Sequence, residues 1–378
     1  MSSNYYDFLI MFGGLAVGFV LTLVTTLILC RYAERLGLID KPDHRKIHSK
    51  PIPRIGGLGL FAGLMGSLLY FSLVRQIWPQ ELGGLQMPNI YFLTGGVVIA
   101  VTGLVDDFKG ISFRQKLVAQ CLIAVYLILA GYRLQLNFGI LDGYANMASI
   151  PVTFLWLIGV INAVNLIDGM DGLAGGIFLI SLLALTICYT LLGGAIDLIF
   201  LFSITGTVLG FLVLNTHPAK VFMGDTGSLF LGYVIACYSL NVSTLGHNHF
   251  MYMVPIIAVG LPVFDTLLSM TRRFLKGRPV FYPDKDHMHH RVRKVFGGGQ
   301  RAAVMRLYYI NLVLGALAIL LSLAGDWMAI LIMLVTVCFA IAVIWRLKYL
   351  KPKELLKRRK QPRHRGLLST GGAFPYRF

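Results

Sequence analysis

This 378-residue sequence predicts an all-α, polytopic integral membrane protein, and three observations carry that prediction. Hydrophobic residues make up 56% of the chain and charged residues 13%, and the mean hydropathy is +0.72. Apolar runs near the ~20 residues needed to cross a ~30 Å hydrocarbon layer recur along most of the length, and in lipid only a helix satisfies every backbone group within one segment. Lysine and arginine are confined almost entirely to alternate gaps between those runs.

About 11 transmembrane helices are expected, at about 7–30, 55–74, 89–105, 116–133, 150–166, 172–191, 196–214, 227–242, 250–271, 305–324 and 327–346. The first follows MSSNYYD, which has neither a basic n-region nor a small-residue cleavage site, so it reads as a retained helix rather than a signal peptide. With the gaps assigned alternately, one side holds 32 of the 34 lysines and arginines, and only Arg75 and Arg133 fall on the other. The positive-inside rule makes the rich side cytosolic, with the N-terminus outside and the C-terminus inside. The +17 charge is then accounted for by basic residues facing an anionic inner leaflet, and no nucleic-acid motif competes for them. Cys30, Cys121, Cys188, Cys237 and Cys338 lie in or beside spans with no C-x-x-C spacing and read as structural thiols. Without repeats or low-complexity linkers, residues 1–349 are expected to form one membrane domain and 350–378 a basic cytosolic tail.

The acidic residues are unevenly placed. Asp106, Asp107, Asp168, Asp171, Asp225, Asp284 and Asp286 all map to the cytosolic side, on four loops or helix ends, so a site assembled from cytosolic loops is expected. A carboxylate at the end of an apolar segment is costly unless it meets water, a cation or a partner. In LVDDFKGISFRQK, adjacent Asp106 and Asp107 repel unless neutralised, which suits a phosphate site that holds Mg²⁺ or lysines. Lys109, Arg114 and Lys116 follow closely, and a solvated helix end with local ion pairs is the plainer alternative. In NAVNLIDGMDGLAGG, Asn162, Asn165, Asp168 and Asp171 recur every third residue, and Gly169 and Gly172 predict a break in the helix. Asp168 then sits at a helix C-terminus, where the dipole disfavours a carboxylate and a metal or lysine must compensate. Asp171 falls near the next helix start, where an ordinary N-cap is the competing role. For Asn165 the competing role is an interhelical hydrogen bond.

NTHPAKVFMGDTGSLFLG places Asp225 and Ser228 at the opening of a span, where backbone N–H groups favour anions and Asp225 supplies a hard oxygen. Mg²⁺ fits better than zinc because the neighbouring donors are carboxylate and amide oxygens. An N-cap role for Asp225 is compatible with metal ligation, while Phe222 alone reads more readily as packing and Asn215 as a helix cap. DKDHMHHRVRK brings His287, His289, His290 and Arg291, without the H-E-x-x-H or cysteine partners of a zinc site. Donation to phosphate or sugar oxygens is the favoured reading, and a basic loop on anionic lipid is the alternative. The early loop DKPDHRKIHSKPIPRIGGLG adds His48, Lys50 and Arg54, with glycines that either admit a ligand to the backbone or pack helices.

Taken together, D-K-P-x-x-R-K-x-H, the DD pair followed by K, N-x-x-N-x-x-D-G-x-D-G-L-x-G-G, F-M-G-D-T-G-S and H-M-H-H resemble the polyprenyl-phosphate N-acetylhexosamine-1-phosphate transferase family, part of the glycosyltransferase 4 or MraY-like superfamily. The similarity runs in order from about residue 31 to 305 and is nearest the WecA/TagO-like branch. It departs from the MraY branch at His287-Met288-His289-His290-Arg291, which favours a simple UDP-N-acetylhexosamine donor over a UDP-muramoyl peptide. The resemblance implies transfer of N-acetylglucosamine 1-phosphate from UDP-GlcNAc to undecaprenyl phosphate with release of UMP, an early step towards a cell-envelope polysaccharide such as teichoic acid or O-antigen. It also implies a multi-pass protein of the bacterial inner membrane in contact with membrane lipids, and it admits a homodimer.

The residue roles are implied in the same way. Asp225 and Asn165 hold Mg²⁺, or Mn²⁺, with Asp168 beside it, and Lys116 neutralises phosphate charge. Asn215, Phe222 and Asp171 contact uridine. His289, His290 and Arg291 hold the sugar phosphate, with His287, His48 and Lys50 as further substrate contacts. Asp106 and Asp107 handle the lipid phosphate, and Asp265, in VFDTLLSMTRR, is left without a role. Direct in-line displacement is expected, with a covalent aspartyl intermediate as the rival. Two other classes share some features: a transporter for nucleotide-sugar or lipid-linked sugar, which predicts uptake without UMP release, and a silent membrane scaffold, which leaves the acidic and histidine clusters without purpose.

Overall fold

The computed structural model describes residues 3–42, 50–78, 87–136, 142–194, 198–246, 248–275, 277 and 287–347. His48 and the tail expected at 350–378 lie outside the described residues. Among these, the chain forms thirteen helices and one two-stranded antiparallel ribbon, in which β1 (Ile39–Asp40) pairs with β2 (Ile52–Pro53).

Among the described residues, every predicted span is helical over most of its length. The helices α1 (Ser3–Tyr32), α2 (Gly56–Ile77), α3 (Ile90–Lys109), α4 (Phe113–Leu129), α5 (Asp142–Ile167), α6 (Leu173–Leu191), α7 (Leu198–Asn215) and α8 (Gly224–Val242) follow the first eight in order. The ninth divides into α9 (Met253–Ala258) and α10 (Gly260–Leu275), because Pro262 has no N–H to return to the α9 carbonyls. A short helix, α11 (Met288–Phe296), precedes α12 (Gly299–Leu323) and α13 (Asp326–Arg346). Among the described residues, eight helices are long and apolar enough to cross a membrane: α1, α2, α3, α5, α6, α7, α12 and α13. The other three expected spans correspond to the 17-residue α4, to α8 with its polar first turn, and to the broken α9–α10 pair. The chain is a multi-pass membrane protein.

α8 is the central post. Almost every residue from Gly224 to Leu240 is buried, and α3, α5, α2 and α6 pack around it. α1 lies against α2 and α7, and α12 against α6 and α9. On α13 only Ala329 and Thr336 are buried, so its remaining apolar side chains face outward, as a lipid-facing helix requires. Two glycines bring neighbours onto the first turn of α8. A Cβ on Gly57 would collide with the Gly227 backbone, and one on Gly103 would lie 2.6 Å from Thr226 Cα. The glycines of the early loop therefore admit a helix, not a ligand.

The helix ends determine what gathers at one end of the bundle. Ser112 and Gln115 form a capping box that starts α4 immediately after α3, which leaves Asp106 and Asp107 in the last turn of α3 and Lys116 in the first turn of α4. α5 ends at Ile167 and α6 begins at Leu173, as Gly169 and Gly172 predict.

Candidate active site

A cavity of about 830 Å³ opens at this end of the bundle. Asn165, Asp168, Asp225 and Ser228 line one side, Lys50 and Arg54 another, and His290 and Gln300 a third, with Phe222 between. Its walls come from the β1–β2 ribbon, the α5–α6 turn, the segment between α7 and α8, and the start of α11 and α12.

The Asp106–Asp107 pair divides. Asp106 Oδ2 accepts from Lys116 Nζ at 2.8 Å, and the same ammonium lies 2.7 Å from Asp225 Oδ2, so one lysine bridges the carboxylates of α3 and α8. Like Asp106 and Lys116, Asp107 does not itself line the cavity, and it is fully engaged. It accepts from the N–H groups of Asp225 and Thr226 at 2.9 Å each, from Thr226 Oγ1 at 2.6 Å and from Arg54 Nη2 at 3.3 Å. Its side chain is only 2% exposed. Asp107 therefore caps α8 from a different helix, the work of an N-cap carboxylate.

Asn165 Nδ2 donates to Ser228 Oγ at 3.0 Å, the interhelical bond that the sequence allows, and this leaves the amide oxygen as the atom that could hold a cation. Asn162 is packing: its amide donates to Gln120 Oε1 and to Ile158 O. Asp168 follows the end of α5 and lines the cavity. Burial, then the charge of nearby Asp225, pushes its carboxyl up to about 7, so this position favours a bound cation.

Two residues expected at uridine serve the wall itself. Asp171 does not cap α6, whose N-cap is Gly172; it accepts the Ala219 N–H at 3.1 Å and lies 2.7 Å from His217 Nδ1. Asn215 accepts the Gly172 N–H at 3.0 Å and donates to Val221 O at 2.8 Å. Both side chains border the cavity while tying residues 216–222 to the α5–α6 turn. The same segment is zipped to the early loop, with Phe222 N–H donating to Pro53 O and Gly56 N–H to Phe222 O.

Among the described residues of the histidine loop, only His290 lines the cavity; Arg291 is half-buried beside it. His287 is buried against Asp265, its Nδ1 3.1 Å from Oδ2, so it is not presented to substrate. His289 is 3% exposed and packs on Gly169, where a Cβ would lie 2.6 Å from its Nε2. Among the described residues its Nδ1 has no hydrogen-bond partner. Burial, then the neighbouring His290, pushes the His289 pKa down to about 3. The unfolded chain binds a proton below about pH 6.5 that the folded chain refuses, so stability from this residue is complete above that pH and lost as pH falls towards 3, by at most about 1.4 kcal/mol per unit. His289→Gln is accordingly expected to flatten the loss of thermal stability between pH 6.5 and 4.5 in detergent; an unchanged slope would count against the buried neutral ring.

Sequence reasoning did not single out Asp40, His217 or Gln300, which also border the cavity. The run Gly297-Gly298-Gly299 before Gln300 was the available signal for a helix starting at the site, and pairing of β1 with β2 is what brings Asp40 beside Arg54, 3.9 Å away.

Residues 89–243, which hold the DD pair, the Asn165–Asp168 turn and Asp225, match glycosyl transferase family 4. The chain is 35% identical over 333 residues to a Bacillus subtilis protein named a probable undecaprenyl-phosphate N-acetylglucosaminyl 1-phosphate transferase, an overlap of 86% of this chain and 90% of that one. It is 30% identical over 302 residues to the decaprenyl-phosphate N-acetylglucosaminephosphotransferase of Mycobacterium tuberculosis, covering 73% of this chain and 74% of the relative. With the undecaprenyl-phosphate alpha-N-acetylglucosaminyl 1-phosphate transferase of Escherichia coli K12 it shares 29% identity over 326 residues, 82% of this chain and 86% of the relative. Similarity that runs through most of both chains, and through the very motifs that meet at the cavity, means that this chain belongs to glycosyl transferase family 4, among its polyprenyl-phosphate N-acetylhexosamine-1-phosphate transferases.

Proposed function

We propose that the protein transfers N-acetylglucosamine 1-phosphate from UDP-GlcNAc to undecaprenyl phosphate, releasing UMP, at the cytosolic face of a bacterial inner membrane with its N-terminus outside. The observation that carries this reading is the convergence of Asn165, Asp168 and Asp225 on one cavity whose other walls carry Lys50, Arg54 and His290. A nucleotide diphosphate needs such a mixture of hard oxygens and basic groups, and a lipid phosphate needs it at the end of a helix bundle. The names of the Bacillus and Escherichia relatives support the same donor and acceptor.

Mg²⁺, or Mn²⁺ in its place, fits the donor set. Among the described residues no three His, Cys, Asp or Glu side chains form a ready metal cage. Mg²⁺ does not ask for one, since it takes one or two carboxylates and completes its shell with waters and substrate phosphates. Asp225 and the Asn165 amide oxygen would hold it, with Asp168 alongside, and it would neutralise charge on the pyrophosphate.

The chemistry asked of the protein is mainly placement. An oxygen of undecaprenyl phosphate attacks the sugar-linked phosphorus in line; the bond from that phosphorus to the bridging oxygen breaks, and UMP departs with the oxygen. A phosphate monoester has a second pKa near 6, so the acceptor is already largely dianionic at neutral pH and a strong base gains little. Asp106, held by Lys116, orients the acceptor, and Lys116 offsets the gathering negative charge. His290 and Arg291 hold the sugar phosphate, and Phe222 shapes the nucleoside end.

Purified protein in liposomes, given UDP-GlcNAc, undecaprenyl phosphate and Mg²⁺, should release UMP in step with lipid-linked sugar, and neither without the lipid. Uptake without UMP release would instead identify a transporter. Mass spectrometry after incubation with donor alone should find no adduct; a phospho-sugar on Asp106 would overturn direct displacement.

A further inference from the structure

Asp265 sits in α10, 1% exposed, and nothing in the proposed reaction employs it. A carboxylate inside an apolar segment is retained only where something compensates it. We propose that Asp265 and His287 form a buried latch that sets where α11 begins and thereby aims His290 into the donor cavity; both are positioning residues, and the proposal rests on the transferase reading above.

The geometry is that of a helix cap supplied from another helix. Asp265 Oδ1 accepts the Met288 N–H at 2.6 Å, and Oδ2 lies 3.1 Å from His287 Nδ1. Ser269 Oγ, one turn along α10, lies 3.4 Å from the same ring nitrogen. His287 is the N-cap of α11 and makes no side-chain cap bond of its own, so the Asp265 carboxylate takes over that duty. Its backbone is extended, with φ −62° and ψ 159°, which turns the chain a corner into the helix.

From that corner the imidazoles pass the position on. The His287 and His289 rings are 5.8 Å apart with planes within 5°, and the His290 ring is 4.3 Å from His289. His289 is wedged against Gly169, the residue after Asp168, so α11 meets the α5–α6 turn at the point where that turn supplies a candidate ligand. At its other end Arg306 of α12 holds the exit of α11, its Nη1 donating to Gly297 O at 3.0 Å and its guanidinium lying 5.1 Å over the Phe296 ring. With that end tied to α12, the contact that sets the opposite end, the first turn that carries His290, is the one from Asp265. His287 then serves the site without touching substrate.

Asp265→Asn and His287→Gln, singly and together, in the reconstituted full chain provide the test. Each single change is expected to raise the KM for UDP-GlcNAc about tenfold while kcat stays within about threefold. The double variant should be no worse than the more affected single, because both changes open the same latch. A purely structural loss would lower the active fraction and kcat at constant KM, and that result would overturn the proposal, as would an unchanged KM in both variants or effects that multiply. If Asp265→Asn does not accumulate in the membrane, the KM and kcat of His287→Gln decide alone. Wild-type protein that releases no UMP would overturn the transferase reading instead, which separates the two failures.

Discussion

Asp225→Ala is expected to lower Mg²⁺-dependent UMP release by about 10³-fold or more, roughly 4 kcal/mol of transition-state stabilisation, without unfolding the protein. The large effect follows from position. Asp225 is the carboxylate that both lines the cavity and meets Lys116 at 2.7 Å, so its removal takes away the strongest hard-oxygen donor and half of the lysine bridge. Retention of the fold follows from a separate contact: residue 225 is tied to Asp107 through its backbone N–H at 2.9 Å, and alanine keeps that group. Lys116 also keeps Asp106. Thermal unfolding in detergent beside the UMP assay checks both halves. Activity near wild type would refute the metal assignment, and a collapsed midpoint would assign Asp225 to the fold.

Asp106→Asn and Asp107→Asn are expected to fail in different ways, although the residues are adjacent. Asp106 shares Lys116 with the cavity carboxylate Asp225, so its amide should cut kcat by about 10²- to 10³-fold. Stability should move by only about 1 kcal/mol, because the amide oxygen can still accept from Lys116 and the ammonium keeps Asp225 at 2.7 Å. Asp107 accepts from two backbone N–H groups, a hydroxyl and Arg54. An amide there presents N–H to at least one of those donors, which should cost about 2–4 kcal/mol of stability. Its kcat should fall only as the start of α8 shifts. Denaturant titration and steady-state kinetics on both variants distinguish the roles; a stable, catalytically dead Asp107→Asn would return it to the chemistry.

The parts legible from the sequence were those set by local chemistry. Apolar runs predicted helices, and Gly169 and Gly172 ended α5 before α6 began; the break of the ninth span, expected as one helix at about 250–271, was not read from Pro262. The basic gaps grouped Asp106, Asp168, Asp225 and the histidine loop at one end, where the cavity lies. The same reading did not resolve polar side chains with two destinations. Asp171 and Asn215, expected at uridine, border the cavity and also tie its wall; His287, expected at substrate, is bound to Asp265.

From its sequence alone this chain determined that it is a multi-pass helical protein with an acidic and basic site at one end, because span length, helix breaks and charge placement are properties of neighbouring residues. Only the tertiary structure decided which polar groups face that cavity. Asp107 meets Thr226 across 119 positions, and Asp265 meets Met288 from a different helix, so the donors that consume these carboxylates are chosen by packing rather than by spacing. A buried carboxylate takes whichever donors the fold brings within about 3 Å, and what those donors leave unclaimed is what the site can use.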